Sequence, residues 1–359
     1  MLIGRPVHPL RGEAERRARL QSLTDAFAGR RVLIVGDLIA DEFIYGQVAR
    51  VSREAPVLIL QYDATEILPG GAGNAANNVA ALGGRAHLVG LAGGDESGRR
   101  LMRSLRQKIK GLDLVRPSGY VTPVKTRILA GGIHTAKQQV VRIDRLLSGD
   151  TAPRTRAEVA RKALQASNWC DAVLVSDYGS GLVTPELVEK LRARASRRSR
   201  RRPVPVLVDS RYDLLRYKSL TACTPNEAEV EQMLGVRIDD RLDTLERAGR
   251  QILRRTRMNA VLVTRGSRGM TLFEAGRPTV HIPIFGSDQV TDVTGAGDTV
   301  IATVTLALAA GASFYEAARL ANYAGGLVVM KRGTATVSSR ELREAIESDH
   351  QAVVGSGAV

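Results

Sequence analysis

Late in the chain, "TDVTGAGDTV" (291–300) places Gly295, Ala296 and Gly297 between two acids, Asp292 and Asp298, ahead of an apolar helical run. Small residues let the backbone approach a ligand closely, and a helix starting there aims free N–H groups outward, a geometry that attracts anions. An acid beside an anion is electrostatically unfavourable unless it has a proton to accept. Read alone, Asp298 would be an ordinary first-turn helix acid. A second glycine-rich stretch, "LPGGAGNAANNVAALGG" (68–84), opens another helix. Gly71, Gly73 and Ala76 fit G-x-G-x-x-A, the pattern of dinucleotide sites. No first βα unit precedes it, however, and the next acid, Asp95, sits in a glycine turn. Asn74, Asn77 and Asn78 would instead offer amides to a hydroxyl-rich ligand; a tight turn and helix cap without a ligand is the alternative.

These segments need a scaffold. The chain has 359 residues, 44% hydrophobic but only 4% aromatic. Its core must therefore be built from Ala, Val, Leu and Ile, which suits helices on a parallel sheet better than an aromatic-rich sandwich. Continuous apolar runs at "RVLIVGD" (31–37), "AHLVGLAG" (86–93), "DAVLVSDYG" (171–179), "PVLVDS" (205–210) and "NAVLVTRG" (259–266) read as strands buried on both faces. Helical patterns at 74–83, 97–110, 155–168, 184–198, 226–234 and 241–256 alternate with them. That is the pattern of an α/β fold with ligands at the carboxyl strand ends. Two helix-free regions, 41–64 and 120–144, alternate apolar and polar residues and predict two hairpins forming a small β-stranded lid. Residues 295–330 predict two apolar helices parted at Gly311. Residues 1–30 are expected to be an appended arm with a short helix over 13–27, 31–348 the domain and 349–359 a tail.

The formal charge of +15 raises a nucleic-acid reading. The excess is almost all arginine, and the densest run, 191–203, has no interleaved aromatics and reads as a solvated helix end. Cys170 and Cys223 follow no metal or redox spacing, so buried reduced thiols in a cytoplasmic protein are expected. The N-terminus lacks the apolar core of a signal peptide, and no uninterrupted apolar run is long enough for a membrane span. No G-x-x-x-x-G-K-[ST], H-E-x-x-H or H-x-G-H occurs, and His87 and His281 lie in apolar runs and read as structural.

The two glycine-rich stretches, in this order and with the paired lid hairpins, resemble the two signatures of the ribokinase-like, or PfkB, carbohydrate kinases across about residues 31–345. The resemblance implies a three-layer α/β/α fold with a mostly parallel sheet. It also implies an ATP- and Mg²⁺-dependent sugar kinase, with a K⁺ site in some relatives. Within the family, "VGDLIADEFIYG", "ARVSREAPV", "VKTRIL", "TPNEAEVE", "LVTRGSRGMTL" and "ANYAGGLVV" are most similar to heptose 7-phosphate kinases. That implies phosphorylation of O1 of D-glycero-D-manno-heptose 7-phosphate, for ADP-heptose and lipopolysaccharide core synthesis. It also implies a stand-alone kinase, since the H-x-G-H of the nucleotidyltransferase partner domain is missing. Alternatives are a phosphofructokinase-like sugar-phosphate kinase, an NAD-dependent oxidoreductase and a basic nucleic-acid binder.

The resemblance also assigns roles. Gly295, Ala296 and Gly297 would form the anion hole for the transferring phosphate, and Asp298 the general base on the sugar hydroxyl. Asp37, Asp41, Gly71 and Asn74 would meet the sugar. Asn226 and Glu229 would serve phosphate and hydrated Mg²⁺. Thr264, Arg265 and Gly266 would lie at the nucleotide, with Asn322 at the adenine, and Asp292 and Thr294 would hold the monovalent cation. Asp209, Ser210 and Arg211 depart from the usual Asp-Pro-Lys, so Asp209 and Arg211 are substrate candidates of altered geometry. The phosphorylated sugar needs cations at the lid, for which Lys125, Arg127 and Arg142 are the candidates. A thin lid cannot bury both faces alone, which predicts a homodimer through it.

Overall fold

A computed structural model describes residues 12–131, 137–145, 151–198, 203–286 and 292–349. The first eleven residues of the expected arm, residues 350–359 of the tail, 132–136 of the second hairpin and 199–202 of the arginine run lie outside the described residues.

Short apolar runs become the main sheet. β1 (Arg31–Gly36) is central. Beside it on one side lie β4 (Arg85–Leu91) and β5 (Gly111–Val115). On the other lie β8 (Ala172–Asp177), β9 (Val206–Ser210), β10 (Ala222–Cys223) and β11 (Ala260–Thr264). All these neighbours pair in parallel. β12 (Met270–Glu274) and β13 (Val280–Ile282) close that edge antiparallel. Strand alternation sends Val32 and Ile34 to one face and Leu33 and Val35 to the other, so β1 contributes to two separate cores.

One core is covered by α1 (Glu13–Asp25), α2 (Ala72–Ala81), α3 (Glu96–Lys108), α8 (Ala296–Ala309), α9 (Phe314–Val328) and α10 (Ser339–Ser348). The other is covered by α4 (Pro153–Ala166), α5 (Pro185–Arg198), α6 (Glu227–Leu234) and α7 (Leu242–Thr256). The arm reading of residues 13–30 needs correcting. Leu20, Leu23 and Phe27 are buried in the same core as α2 and α8, on a stripe that the surrounding arginines obscure in the sequence.

At Asp37 the chain leaves the main sheet for the lid. β2 (Leu38–Val51) pairs antiparallel with β3 (Leu58–Gly71), and β6 (Val124–Gly131) with β7 (Gln138–Arg145). β2 and β6 join in parallel, giving the order β3-β2-β6-β7. Register aligns Asp41, Lys125 and Asp144 in one row and Phe43, Arg127 and Arg142 two positions on, so all six share a face. Elsewhere the lid exposes Val51, Val57, Leu58, Tyr62, Val141 and Ile143. Among the described residues no helix is long and apolar enough to cross a membrane.

Candidate active site

A cleft of about 570 Å³ lies between the charged lid face and the start of α8, within the size range of small-molecule sites. Asp298 faces it from the first turn of α8, and Gly295 caps that helix with φ +77°. A Cβ at Gly295 would come within 2.4 Å of the Asn74 amide nitrogen, so this position requires glycine twice over. The Asn74 Nδ2 donates to Asp298 Oδ2 at 2.9 Å and to Gly295 O at 3.3 Å. Asn78 Nδ2 donates to Asn74 Oδ1, and Thr299 Oγ1 donates to Asn78 Oδ1, so amides of α2 hold the start of α8. On its other oxygen Asp298 accepts from the Tyr178 hydroxyl at 3.3 Å.

Burial pushes the Asp298 carboxyl up to about 7, and the Asp41 carboxylate adds to the shift. The Asn74 and Tyr178 hydrogen bonds and the Lys125 charge oppose it. A carboxyl titrating near neutrality has the affinity a general base needs.

The lid supplies the opposite wall. Asp41 accepts from Arg127 Nη1 at 2.5 Å, and both side chains are buried. Arg142 chelates Asp144 at 2.6 and 2.7 Å. Lys125 is buried and lines the cleft, with its ammonium 4.8 Å from the centre of the Tyr178 ring. Arg211 lines the cleft with its guanidinium stacked over Tyr212. Neither Lys125 nor Arg211 forms an ion pair among the described residues, whereas Arg127 and Arg142 each have one. Burial, then the charge of Arg211, lowers the Lys125 pKa.

The expected substrate residues thus separate. Asp41, Gly71, Lys125, Arg127, Arg142 and Arg211 line the cleft with Asp298, while Asn74 stands behind the acid it holds. Asp37 does not line it: its carboxylate accepts from the Tyr178 and Ser180 N–H groups and from the Ser180 hydroxyl. Asp209 is not a lining residue either, and burial with Glu229 and Asp298 nearby holds its carboxyl well above the ordinary range. Asp292 and Thr294 reach the cleft edge, but the Asp292 carboxylate accepts the N–H groups of Thr294 and Gly333 at 2.9 and 3.0 Å. In the expected anion hole the Ala296 N–H turns back to Val293 O at 3.2 Å. The N–H groups of Gly297 and Asp298 have no intrahelical acceptor.

The nucleotide candidates sit apart from this cleft. Asn226 and Glu229 bond reciprocally in a capping box at the start of α6. Thr264, Arg265 and Gly266 form the turn after β11, where Arg265 Nε is buried without a hydrogen bond and lies 3.7 Å from Glu227. Asn322, in α9, donates to Pro283 O at 2.8 Å. The cleft also contains residues the sequence reading did not name: Tyr178, Ile39, Gln139 and Val293. Tyr178 had one available signal, an aromatic side chain in a small-residue turn at a strand's carboxyl end.

The pfkB family carbohydrate kinase profile matches residues 30–341. The chain belongs to that family. This kinase is 38% identical over 338 residues to the bifunctional protein HldE of Geobacter sulfurreducens, an alignment covering 93% of this chain and 66% of that protein. It is 41% identical to HldE of Caulobacter vibrioides, covering 90% and 65%. The chain thus spans just under two thirds of the length of these relatives. Phosphofructokinase-2 of Escherichia coli in complex with fructose-6-phosphate superposes with a TM-score of 0.68 at 18% identity, covering 89% of this chain and 98% of that one. Arabidopsis thaliana ribokinase complexed with ribose and ATP gives 0.68 at 19%, covering 89% and 100%. These neighbours share the ribokinase-like fold. The dinucleotide alternative falls away, because Gly71 ends lid strand β3 and Gly73 lies in the helix after it, rather than following β1.

Proposed function

We propose that this kinase transfers the γ-phosphoryl group of ATP to O1 of D-glycero-D-manno-heptose 7-phosphate, yielding the 1,7-bisphosphate. The observation that carries the reading is that two cations, Lys125 and Arg211, line the same cleft as Asp298 and form no ion pair among the described residues. A substrate bearing its own phosphate would use them beyond what ATP requires, because charge-assisted contacts to phosphate strengthen its binding.

In this reading Asp298 takes the proton from O1 as the new P–O bond forms. The free N–H groups at the start of α8 receive the charge that develops on the transferring phosphate. Asp41, held by Arg127, accepts from sugar hydroxyls. Mg²⁺ would neutralise the β- and γ-phosphate oxygens. Glu229 would hold it through water: burial raises its carboxyl, and the neighbouring Asp209 is raised in turn by Glu229, so a cation would relieve both. Among the described residues no cluster of three metal-ligating side chains exists, which suits an ion carried largely by the nucleotide and water. Asp292 and Thr294 are the candidates for K⁺. The buried thiols of Cys170 and Cys223 accord with a cytoplasmic enzyme.

The exposed Val57, Leu58, Tyr62, Val141 and Ile143 support a homodimer through the lid. Light scattering at micromolar concentration should give twice the chain mass, and a monomer would overturn that part. The substrate is tested by ³¹P NMR of the product from heptose 7-phosphate, with fructose 6-phosphate and unphosphorylated heptose alongside. A new anomeric phosphate from the first alone supports the proposal. Efficient turnover of fructose 6-phosphate instead would make this a phosphofructokinase-like enzyme.

A further inference from the structure

The turn after β8 is held more firmly than a connecting loop requires. From one side, Asp177 accepts from the Ser210 hydroxyl at 2.8 Å, the Tyr217 hydroxyl at 2.7 Å and the Gly179 N–H at 3.0 Å. From the other, Asp37 accepts from the Tyr178 N–H at 2.7 Å and the Ser180 hydroxyl. Two buried acids therefore clamp the three turn residues Tyr178, Gly179 and Ser180. What they present to the cleft is the Tyr178 side chain.

That side chain touches three parts of the site. Its hydroxyl reaches Asp298 Oδ1 at 3.3 Å, and its ring lies 4.8 Å from the Lys125 ammonium. Its edge fills the space beside Gly71, where a Cβ would come within 3.2 Å of Tyr178 Cε2. An ionised carboxylate only accepts, so the phenol must donate. Burial holds the phenol well above its usual range, which keeps that proton in place.

We propose that Tyr178 is a positioning residue that ties the base to the lid cation: its hydroxyl fixes one oxygen of Asp298, and its ring carries Lys125. The proposal rests on the reading of Asp298 as base and Lys125 as phosphate ligand. With Asn74 on Oδ2 and Tyr178 on Oδ1, the carboxylate cannot rotate, and its remaining lone pairs stay aimed at the substrate. The charged and titratable groups that face Asp298 and Tyr178 are Asp41 from β2, Lys125 from β6, and Asp209 and Arg211 at the end of β9.

Tyr178→Phe removes the hydroxyl and keeps the ring; Tyr178→Leu removes both. The decisive readout is the Asp298 carboxyl titration in the ligand-free full chain, followed by ¹³C NMR of Asp-labelled protein and assigned by its loss in Asp298→Asn. In Tyr178→Phe the midpoint should rise by about half a pH unit or more, because a donor to the charged form is gone. The acid limb of the kcat profile should move upward with it, with KM for the sugar phosphate within about twofold. In Tyr178→Leu that KM should also rise by roughly three- to tenfold, as the cation loses its aromatic face. A melting temperature close to wild type excludes simple unfolding, a merely structural role predicting lost stability without a moved midpoint. An unchanged Asp298 midpoint in Tyr178→Phe overturns the hydroxyl's role. An unchanged KM in Tyr178→Leu overturns the ring's. If the wild type fails to phosphorylate heptose 7-phosphate, the carboxyl titration still decides the positioning role, so the two failures remain distinct.

Discussion

α2 and α8 both begin at a glycine with positive φ, Gly71 at +55° and Gly295 at +77°, and both follow it with small residues. Their surroundings differ. The first turns of α2 are buried, and its asparagines point at protein: Asn74 at Asp298 and Gly295, with Asn78 behind it. α8 keeps its acid at the cleft, at the end where its first N–H groups lack an intrahelical acceptor. One glycine-rich start is the brace for the other, so similar local sequence gives a support in one place and, in the proposed reading, the chemistry in the other.

Substituting the two capping glycines should break this comparison most visibly. An Ala at Gly295 strikes the movable end of Asn74, pushing it off Asp298. Turnover should fall by roughly 10²-fold with the fold intact, since a misplacement near 1 Å can cost that much. An Ala at Gly71 meets the backbone oxygen of Asp37 at 2.6 Å, which cannot yield without moving the chain. Here the main loss should be stability, about 1–3 kcal/mol, read by urea unfolding. Equal effects of the two on kcat would erase the distinction between brace and chemistry.

Lys125→Ala tests the wall that neither helix start supplies. It should raise KM for the phosphorylated sugar about ten- to 150-fold, with KM for ATP nearly unchanged.

pH sharpens the contrast between buried acids. Asp298 is pushed up to about 7 and Asp37 to about 6, both by burial. Each is raised above its unfolded value, so its stabilising contribution is full below about pH 4 and is lost as pH rises through 6 to 7. Stability should therefore fall between pH 5 and 8. Asp298→Asn should flatten that fall by on the order of 2–3 kcal/mol, measured by urea titrations at both pH values. With Asp298 as the proposed base, activity should run the other way, rising as it ionises.

The smallest effect belongs to Arg142→Ala. Its guanidinium is already committed to Asp144, so KM for the sugar phosphate should rise only about two- to fivefold.

Legibility in the sequence followed burial. β1, β4, β8, β9 and β11 are buried on both faces and read as continuous apolar runs, and the lid strands alternate as hairpins should. β5, mostly half-buried, and the two-residue β10 leave no such trace. Leu20, Leu23 and Phe27 were hidden among arginines, which is why a packed helix read as an arm. At the site, residue type was visible but commitment was not. Asp37 looks like a ligand in the sequence, yet the Tyr178 N–H and the Ser180 hydroxyl occupy its carboxylate. Only the folded chain shows which acids brace turns, and only it brings Tyr178 from the end of β8 against Asp298 from α8 and Lys125 from the lid.

The proposed role of Asp298, braced by α2, is to take the sugar's proton. Single-turnover phosphorylation by Asp298→Asn tests that role, with ATP and heptose 7-phosphate binding measured by calorimetry on the same preparation. Binding should stay within a few-fold of wild type while the rate falls by roughly 10²–10⁴. A variant that keeps more than about a tenth of the wild-type rate would contradict it.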